Sequence, residues 1–133
     1  MPSRKSILKT IDELYKARVK GDISVLEKFL APGAKYRLAG GSRALPKLAN
    51  GSAKKTIGGL IDLFEFKSVK QLSATVEGNF AAIRWRIKMS TKDGQTATTE
   101  LFDLWEFNKA GKAKSLIQFG DTALLERMVS GKS

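Results

Sequence analysis

The sequence predicts an α+β fold in which three N-terminal helices pack on one face of a curved, mainly antiparallel sheet. Two patterns support this. Apolar residues recur at helical spacing in the first half of the chain, whereas from residue 67 onward they alternate with polar residues, as in strands. Helices followed by a run of strands joined by short turns indicate an α+β architecture with an antiparallel meander.

Helical spacing is clearest at the N-terminus, where the first predicted helix ends near Gly21. Its apolar stripe follows Ser3 or Ser6 and consists of Ile7, Leu8, Ile11, Leu14, Tyr15 and Val19. Asp22 is expected to cap a second, shorter helix, which Pro32-Gly33 ends. Residues 34–38 are predicted to form a short strand.

The middle of the chain carries a loop and a third helix. Residues 40–52 are rich in Gly, Ser, Ala and Lys, and a loop of this length is often a lid or a binding loop. A plain linker is the other interpretation. Ser52 is placed to cap a helix that runs to Phe64. The strands are predicted at 67–77, 81–91, 95–107 and 112–123, and residues 130–133 are expected to form a frayed tail.

Two turn signals set the predicted pairing of the last three strands. Asp93-Gly94 is a strong two-residue hairpin signal between alternating runs. Taken as the loop, it pairs Arg84 with Asp103. The same register pairs Trp85 with Phe102.

A second turn, at residues 108–111, is interpreted as a four-residue loop that brings Leu116 beside Asp103 and Ile117 beside Phe102. The sheet then has two faces. One is almost wholly apolar: Ile83, Trp85, Ile87, Phe102, Leu104, Ile117 and Phe119. The other mixes polar and apolar side chains: Arg84, Arg86, Asp103, Gln118, Leu101, Trp105 and Leu116.

The composition limits which side chains could take part in catalysis. The 133 residues suit one domain with its own core, and the sequence has neither Cys nor His. Disulfides, thiolate catalysis and His-based nucleophile arrangements are therefore excluded, which leaves carboxylates, Tyr and Lys as proton carriers. No cofactor or metal is expected. Met1 to Asp12 has no apolar core of a signal peptide, so a soluble, cytoplasmic protein is expected.

The chain carries a formal charge of +11. Seven basic residues and no acid lie between residues 28 and 55: Lys28, Lys35, Arg37, Arg43, Lys47, Lys54 and Lys55. This segment is interpreted as a solvated basic surface, with a polyanion or nucleic-acid site as the less favoured alternative. Single-strand binders use interleaved aromatic residues, and only Phe29 and Tyr36 occur here.

The order of elements resembles the SnoaL-like and ketosteroid isomerase-like branch of the NTF2-like superfamily, over nearly the whole of residues 1–133. The segments that carry the resemblance are Lys20-Gly21-Asp22, Ile83-Arg84-Trp85-Arg86, the run from Glu100 to Phe107, and Phe119-Gly120-Asp121. The resemblance implies a cone whose curved sheet and first helices enclose an apolar pocket. It also implies a homodimer formed by the outer sheet face.

On this resemblance the Asp103 face lines the pocket. The apolar face then meets the partner subunit, through Ile83, Trp85, Phe102, Leu104, Ile117 and Phe119. Asp103 stands where ketosteroid isomerases keep a pocket carboxylic acid, and burial would raise its pKa. Their oxyanion Tyr falls near Leu14, next to Tyr15, and their catalytic base falls near Leu38, where this chain has no carboxylate.

The limonene epoxide hydrolase type offers a second comparison within the same resemblance. Arg84 matches the Arg of its Asp-Arg-Asp trio. Arg86 and Gln118 stand at the two Asp positions, so the water-activating base of that type is also missing here. The candidate catalytic residues are Asp103 and Arg84. The candidate ligand-binding residues are Arg86, Gln118, Leu101, Trp105, Leu116, Tyr15 and Tyr36.

Three functions stay open at this stage. One is an isomerase, cyclase or hydratase-like enzyme acting on an apolar carbonyl or anionic compound, in which Arg84 and Arg86 hold the oxygen. A second is a non-catalytic pocket or dimerisation module of the same fold. The polyanion binder is the third. For Arg84 and Asp103, a simple cross-strand ion pair is the structural alternative.

Overall fold

A computed structural model gives the fold of the chain and describes residues 2–42 and 50–130. The helices in this part are α1 (Arg4–Lys20), α2 (Ile23–Phe29), α3 (Ala53–Leu63) and α4 (Thr122–Ser130). The strands are β1 (Leu30–Leu38), β2 (Asn50–Ser52), β3 (Glu65–Glu77), β4 (Phe80–Ser90), β5 (Thr96–Phe107) and β6 (Ala113–Phe119). The predicted α+β class is confirmed.

One mixed sheet carries all the strands, in the order β2-β1-β6-β5-β4-β3. Neighbouring strands are antiparallel except β1 and β6, which are parallel. Helix α1 packs against β3 and α2, and α3 packs against β1. The helices thereby cover one face of the sheet, which is called the inner face below; the opposite face is called the outer face.

Helix α1 begins and ends at the residues that its sequence favours. The Ser3 hydroxyl accepts a hydrogen bond from the Ser6 backbone N–H at 3.1 Å, and Gly21 ends the helix in the left-handed conformation, with φ of 70°. The buried face of the helix is Ile7, Ile11, Leu14, Tyr15, Ala17 and Arg18. This face brings one hydroxyl and one cation to the sheet.

The sheet differs from the sequence prediction at β2, which lies inside the predicted loop 40–52, and in the bounds of β1 and of the last strand. Strand β1 begins at Leu30 and runs through Pro32, because its pairing with β6 is irregular between Leu30 and Lys35 and needs no donor there. The last strand ends at Phe119, and α4 follows it. The Asp121 carboxylate accepts from the Leu124 N–H at 3.0 Å, which favours a helix start over a longer strand.

The β4–β5 register was predicted wrongly by one residue. The turn has three residues rather than two: the Thr91 N–H donates to the Gln95 carbonyl at 2.9 Å, and Gly94 has φ of 89°. The Asp93 carboxylate accepts from the Thr91 hydroxyl and from Gln95 Nε2, which stabilises this longer loop.

A one-residue shift sends each side chain of a strand to the opposite face. Asp103 therefore pairs with Ile83, not with Arg84. Arg84 pairs with Phe102 and lies on the outer face. Trp85 pairs with Leu101 and lies on the inner face.

The β5–β6 register differs from the prediction by two residues. The Asn108 N–H donates to the Lys112 carbonyl at 2.9 Å, which makes a three-residue turn, and an irregularity between Glu106 and Phe107 adds a further shift. Gln118 rather than Leu116 is therefore the partner of Asp103. Because the shift is even, the predicted faces of β5 and β6 are kept.

The core lies between the helices and the inner face. Ile83, Trp85 and Ile87 are buried in it, so they do not belong to the outer apolar face as predicted. None of the helices in the described ranges combines the length and the apolar character that a membrane span requires.

Candidate functional site

Asp103 is the centre of a buried polar network on the inner face. Its side chain is fully buried. The Tyr15 hydroxyl donates to Asp103 Oδ2, and Gln118 Nε2 donates to Oδ1 at 3.0 Å. Gln118 lies directly across the ladder from Asp103, while α1 brings Tyr15 from the opposite side. Helix and sheet are thus joined through one carboxyl group.

A second tyrosine extends this network. The Tyr36 hydroxyl donates to Gln118 Oε1 at 2.8 Å, and Gln118 Nε2 also contacts the Tyr15 oxygen at 3.3 Å. Burial raises the pKa of both phenols, and the neighbouring Asp103 adds to the effect. Both tyrosines are therefore neutral hydrogen-bond donors throughout the physiological pH range.

Burial raises the pKa of Asp103 to about 6, against the opposing effect of its hydrogen bonds with Tyr15 and Gln118. The indoles of Trp85 and Trp105 also face the carboxyl group and favour its charged form. Within the described residues neither indole N–H reaches hydrogen-bond geometry with a partner, so both act on the carboxyl group as nearby dipoles. Asp103 can change protonation state near neutral pH.

An apolar cavity of about 60 Å³ lies beside the network, between the helices and the sheet. Most of its wall is aliphatic or aromatic. The polar or partly polar side chains that line it are Tyr15, Arg18, Tyr36, Trp105 and Gln118. Asp103 is not in the wall, because Tyr15 and Gln118 stand in front of it.

Arg18 is the charged residue in this wall, and it is nine-tenths buried. Its Nη2 donates to the backbone carbonyls of Phe64 at 2.7 Å and Leu60 at 3.2 Å, at the end of α3. The guanidinium carbon lies 3.7 Å from the centre of the Phe66 ring. Its Nη1 is buried and has no hydrogen-bond partner among the described residues. Burial lowers the pKa of Arg18 to about 10, so it is still a cation at neutral pH.

Six of the seven candidate ligand-binding residues line this cavity: Gln118, Leu101, Trp105, Leu116, Tyr15 and Tyr36. Their roles stay predictions. The Tyr15 ring is buried and stacks on Trp85, with the ring centroids 3.9 Å apart. Leu38, where a base was sought, also lines the cavity.

Arg84 and Arg86 are not at the site. Both side chains are exposed on the outer face, and Arg84 Nε donates to Glu100 at 2.6 Å instead of facing Asp103. The one-residue register error accounts for both misplacements. The cation that does belong to the cavity, Arg18, was missed. Its signal was present, because it follows Ile11 and Leu14 at helical spacing on the apolar face of α1.

Two other predictions concern groups of residues. Within residues 2–42 and 50–130, no three acidic side chains gather in a way that would hold a metal ion. The loop predicted at 40–52, interpreted as a lid, a binding loop or a plain linker, lies partly outside the described residues, since 43–49, with Arg43 and Lys47, are not among them. Binding of a polyanion by the 28–55 segment stays a prediction.

Solved structures share this fold over nearly the whole chain. An NTF2-like protein of unknown function from Burkholderia pseudomallei K96243 aligns with a TM-score of 0.75 at 16% identity, covering 94% of this chain and 98% of that one. A protein described as a SnoaL-like polyketide cyclase from Jannaschia sp. CCS1 gives 0.77 at 15% identity, covering 100% and 99%. An LEH-like epoxide hydrolase from M. tuberculosis gives 0.74 at 13% identity, covering 98% and 94%.

No protein-family model and no curated protein sequence matches the chain. The structural likenesses establish that the protein has the NTF2-like fold, which confirms the resemblance drawn from the order of its elements. Such a fold hosts several chemistries, so the activity must be argued from the site.

Proposed function

We propose that the protein binds a small, mainly apolar molecule through one of its oxygen atoms, in the cavity beside Tyr15. The observation that carries this proposal is the juxtaposition of an apolar cavity with a hydrogen-bonded Tyr15–Asp103–Gln118–Tyr36 network in its wall. A few convergent polar groups in an apolar pocket are typical of small-molecule sites. Two similar structures are named for a polyketide cyclase and an epoxide hydrolase, which agrees with such a cavity.

Asp103 would act on the ligand through Tyr15 and not by direct contact. While Asp103 is ionised, the Tyr15 hydrogen is held by the carboxylate, so it is not available to a ligand oxygen. A protonated Asp103 can instead donate to the Tyr15 oxygen, and the Tyr15 hydrogen is then free to point into the cavity. Binding of a carbonyl oxygen should therefore be tighter below the pKa of Asp103 than above it.

The surroundings of Asp103 support this coupling. Each element packed against it contributes a neutral group: Tyr15 from α1, Trp85 from β4, Trp105 from β5 and Gln118 from β6. Arg18, one turn beyond Tyr15 on α1, is the cation of the same cavity. Among the described residues no ion pair fixes Asp103 in the charged state, so ligand binding can change its protonation state.

Binding without turnover is the version that the site supports best. The described residues of the cavity wall include no carboxylate, and Leu38 occupies the place where the resemblance implies a proton-abstracting base. An isomerase, cyclase or hydratase-like activity is the second candidate, because a carboxyl group with a pKa of about 6 behind a phenol is suited to general acid catalysis. That reaction would have to do without a side-chain base in the described wall.

The two tryptophans of the chain make the test direct, since both indoles face Asp103. We would titrate cyclopentanone into the ¹⁵N-labelled protein at pH 5 and pH 7.5 and follow the two indole N–H signals. Saturable shifts, with tighter binding at pH 5, are expected. Asp103→Asn should remove the pH dependence, because its side chain does not titrate.

Glu106→Gln is the matched control, since it removes a carboxylate from the outer face of the same strand. It should keep the pH dependence of the wild type. If neither small ketones nor small acids move the indole signals, the binding proposal is wrong. If cyclopentanone binds equally at both pH values, the coupling through Tyr15 is wrong although the cavity binds ligands.

A further inference from the structure

We infer that the physiological ligand is a short monocarboxylate whose carboxylate group binds Arg18 and whose apolar tail fills the cavity. This inference rests on the proposed binding function and specifies the chemical class of the ligand. Two independent features carry it: the charge of the cavity wall and the incomplete set of contacts that Arg18 makes.

The charge of the wall favours an anion. Arg18 is the one charged side chain among the described residues that line the cavity, and the remainder of the wall is mainly apolar. Asp103, the nearest acid of the network, is screened from the cavity by Tyr15 and Gln118. An anionic ligand would therefore meet one cation and no carboxylate in the wall.

Arg18 lacks the partner that a buried cation normally has. Buried charges are usually paired with an opposite charge, since desolvation costs several kcal/mol per ion. Here Nη2 donates to two backbone carbonyls, and Phe66 offers its ring face. Nη1 has no acceptor, and no acidic side chain forms an ion pair with Arg18 in the described part of the chain.

A carboxylate supplies the missing acceptor. Its two oxygens match the parallel N–H groups of a guanidinium, and charge-assisted hydrogen bonds are stronger than neutral ones. Nη1 is buried in the present conformation, so the guanidinium must turn to meet the ligand. We expect the longer of the two Nη2 contacts, at 3.2 Å to the Leu60 carbonyl, to be lost in that rotation.

The volume of the cavity limits the tail. At about 60 Å³ it has room for about four to six water-sized groups. A chain of four or five carbons fits that space, whereas a steroid or an aromatic polyketide is several times larger. The side chains around the tail, including Leu14, Leu26, Ile57 and Leu116, offer no hydrogen bonds to it.

The competing interpretation is that Arg18 only holds the end of α3 through the Leu60 and Phe64 carbonyls. Such a role needs the cation but no ligand anion. Comparing a charged probe with a neutral one of the same size separates the two interpretations, because a structural clamp would not distinguish them.

The probes are pentanoate and pentanamide, titrated at pH 7.5 into the wild-type protein with the indole signals as the readout. We expect pentanoate to bind roughly ten-fold more tightly, the difference between a charge-assisted and a neutral hydrogen bond. Equal binding of the two probes, or a preference for the amide, would overturn the inference while leaving the cavity a binding site. No binding of either probe or of cyclopentanone would instead overturn the proposed function.

Arg18→Met then tests the residue, with Arg84→Met as the matched control on the outer face. The preference for pentanoate should vanish in the first variant and persist in the second. Arg18→Lys keeps the charge and should retain part of the preference. If Arg18→Met does not fold, the Lys variant and the wild-type probe comparison still decide the matter. A full preference in a folded Arg18→Met protein would contradict the assignment.

Discussion

Trp85 and Phe102 lie on neighbouring strands, yet the two faces of the sheet give them different environments. Trp85 is 2% exposed on the inner face and stacks on Tyr15. Phe102 is 43% exposed on the outer face, beside Arg84 in the ladder. A shift of one residue in strand register thus decides whether a large aromatic side chain lies in the core or on the surface.

The charges of the two faces differ in the same way. On the inner face, Asp103 is fully buried and its protonation state is set by burial and by a fixed network. On the outer face, Arg84 and Glu100 form a short ion pair with both side chains more than two-fifths exposed. Water and salt screen the second pair but not the first group. Chemistry is therefore expected from the inner face only.

The largest expected contrast is in packing. Trp85→Ala should lower the free energy of unfolding by about 3–5 kcal/mol, because it leaves a cavity under Tyr15. Phe102→Ala, on the outer face, should cost about 1 kcal/mol. Urea denaturation at low protein concentration measures both. Equal losses would mean that the faces do not differ as described.

The next contrast concerns pH. The folded pKa of Asp103 is about 6, above the unfolded value of about 4, so between these values the folded state binds more protons. Its contribution to stability therefore falls as pH rises through this window, by about 3 kcal/mol in full. The stability of Asp103→Asn relative to wild type should rise by most of that amount, about 2 kcal/mol, from pH 4 to pH 7.

Urea denaturation at several pH values measures this difference, in which the other ionisable groups largely cancel. Glu106→Gln serves again as the control, and its difference from wild type should not follow the same curve. A flat difference for Asp103→Asn would show that Asp103 has an ordinary pKa.

A smaller effect is expected for substitutions that test self-association through the outer face. The dimer predicted from the sequence stays a prediction, and its face no longer includes Ile83 or Trp85, which are buried. The remaining members are Phe102, Leu104, Ile117 and Phe119, with Phe80 on the same face. Phe119→Glu should weaken self-association by roughly ten-fold or more, as measured by sedimentation equilibrium.

Ile23→Glu is the control for this experiment, because Ile23 is 39% exposed on α2, away from the outer face. It should associate like the wild type. A wild-type protein that is monomeric at all accessible concentrations would contradict the expected dimer.

The smallest effect is expected for Arg84. Arg84→Met removes an exposed ion pair with Glu100, so neither the denaturation midpoint nor the binding of pentanoate should change measurably. A loss of binding would return Arg84 to the site and contradict the register.

The sequence sufficed for the overall architecture because hydrophobic period and turn residues act locally. The α+β class, α1 and the meander followed from spacing alone. Spacing also placed Leu101, Asp103, Trp105, Leu116 and Gln118 together on one face, but it was the family resemblance that turned this face toward the interior. The predicted faces of β5 and β6 were correct because two local shifts of one residue each added to an even number.

What the sequence left undecided was the choice between two turns compatible with Asp93-Gly94. A two-residue turn of Asp93 and Gly94, and a three-residue turn that also includes Lys92 and has Gly94 in the left-handed conformation, are both compatible with this dipeptide. Side-chain bonds of Asp93 and burial of Trp85 favour the longer turn, and the second of these depends on the tertiary structure. Arg18 escaped notice although helical spacing places it on the apolar face of α1, because spacing alone does not show which groups its guanidinium contacts.

The turn between β4 and β5 therefore sets which residues the protein shows to its interior. Deleting Lys92 would leave a loop of two residues, and the register that such a loop favours would turn Trp85 out of the core. A change of one residue in the length of this loop would move every side chain of one strand to the opposite face of the sheet. We therefore expect changes in loop length here to be far less tolerated than substitutions.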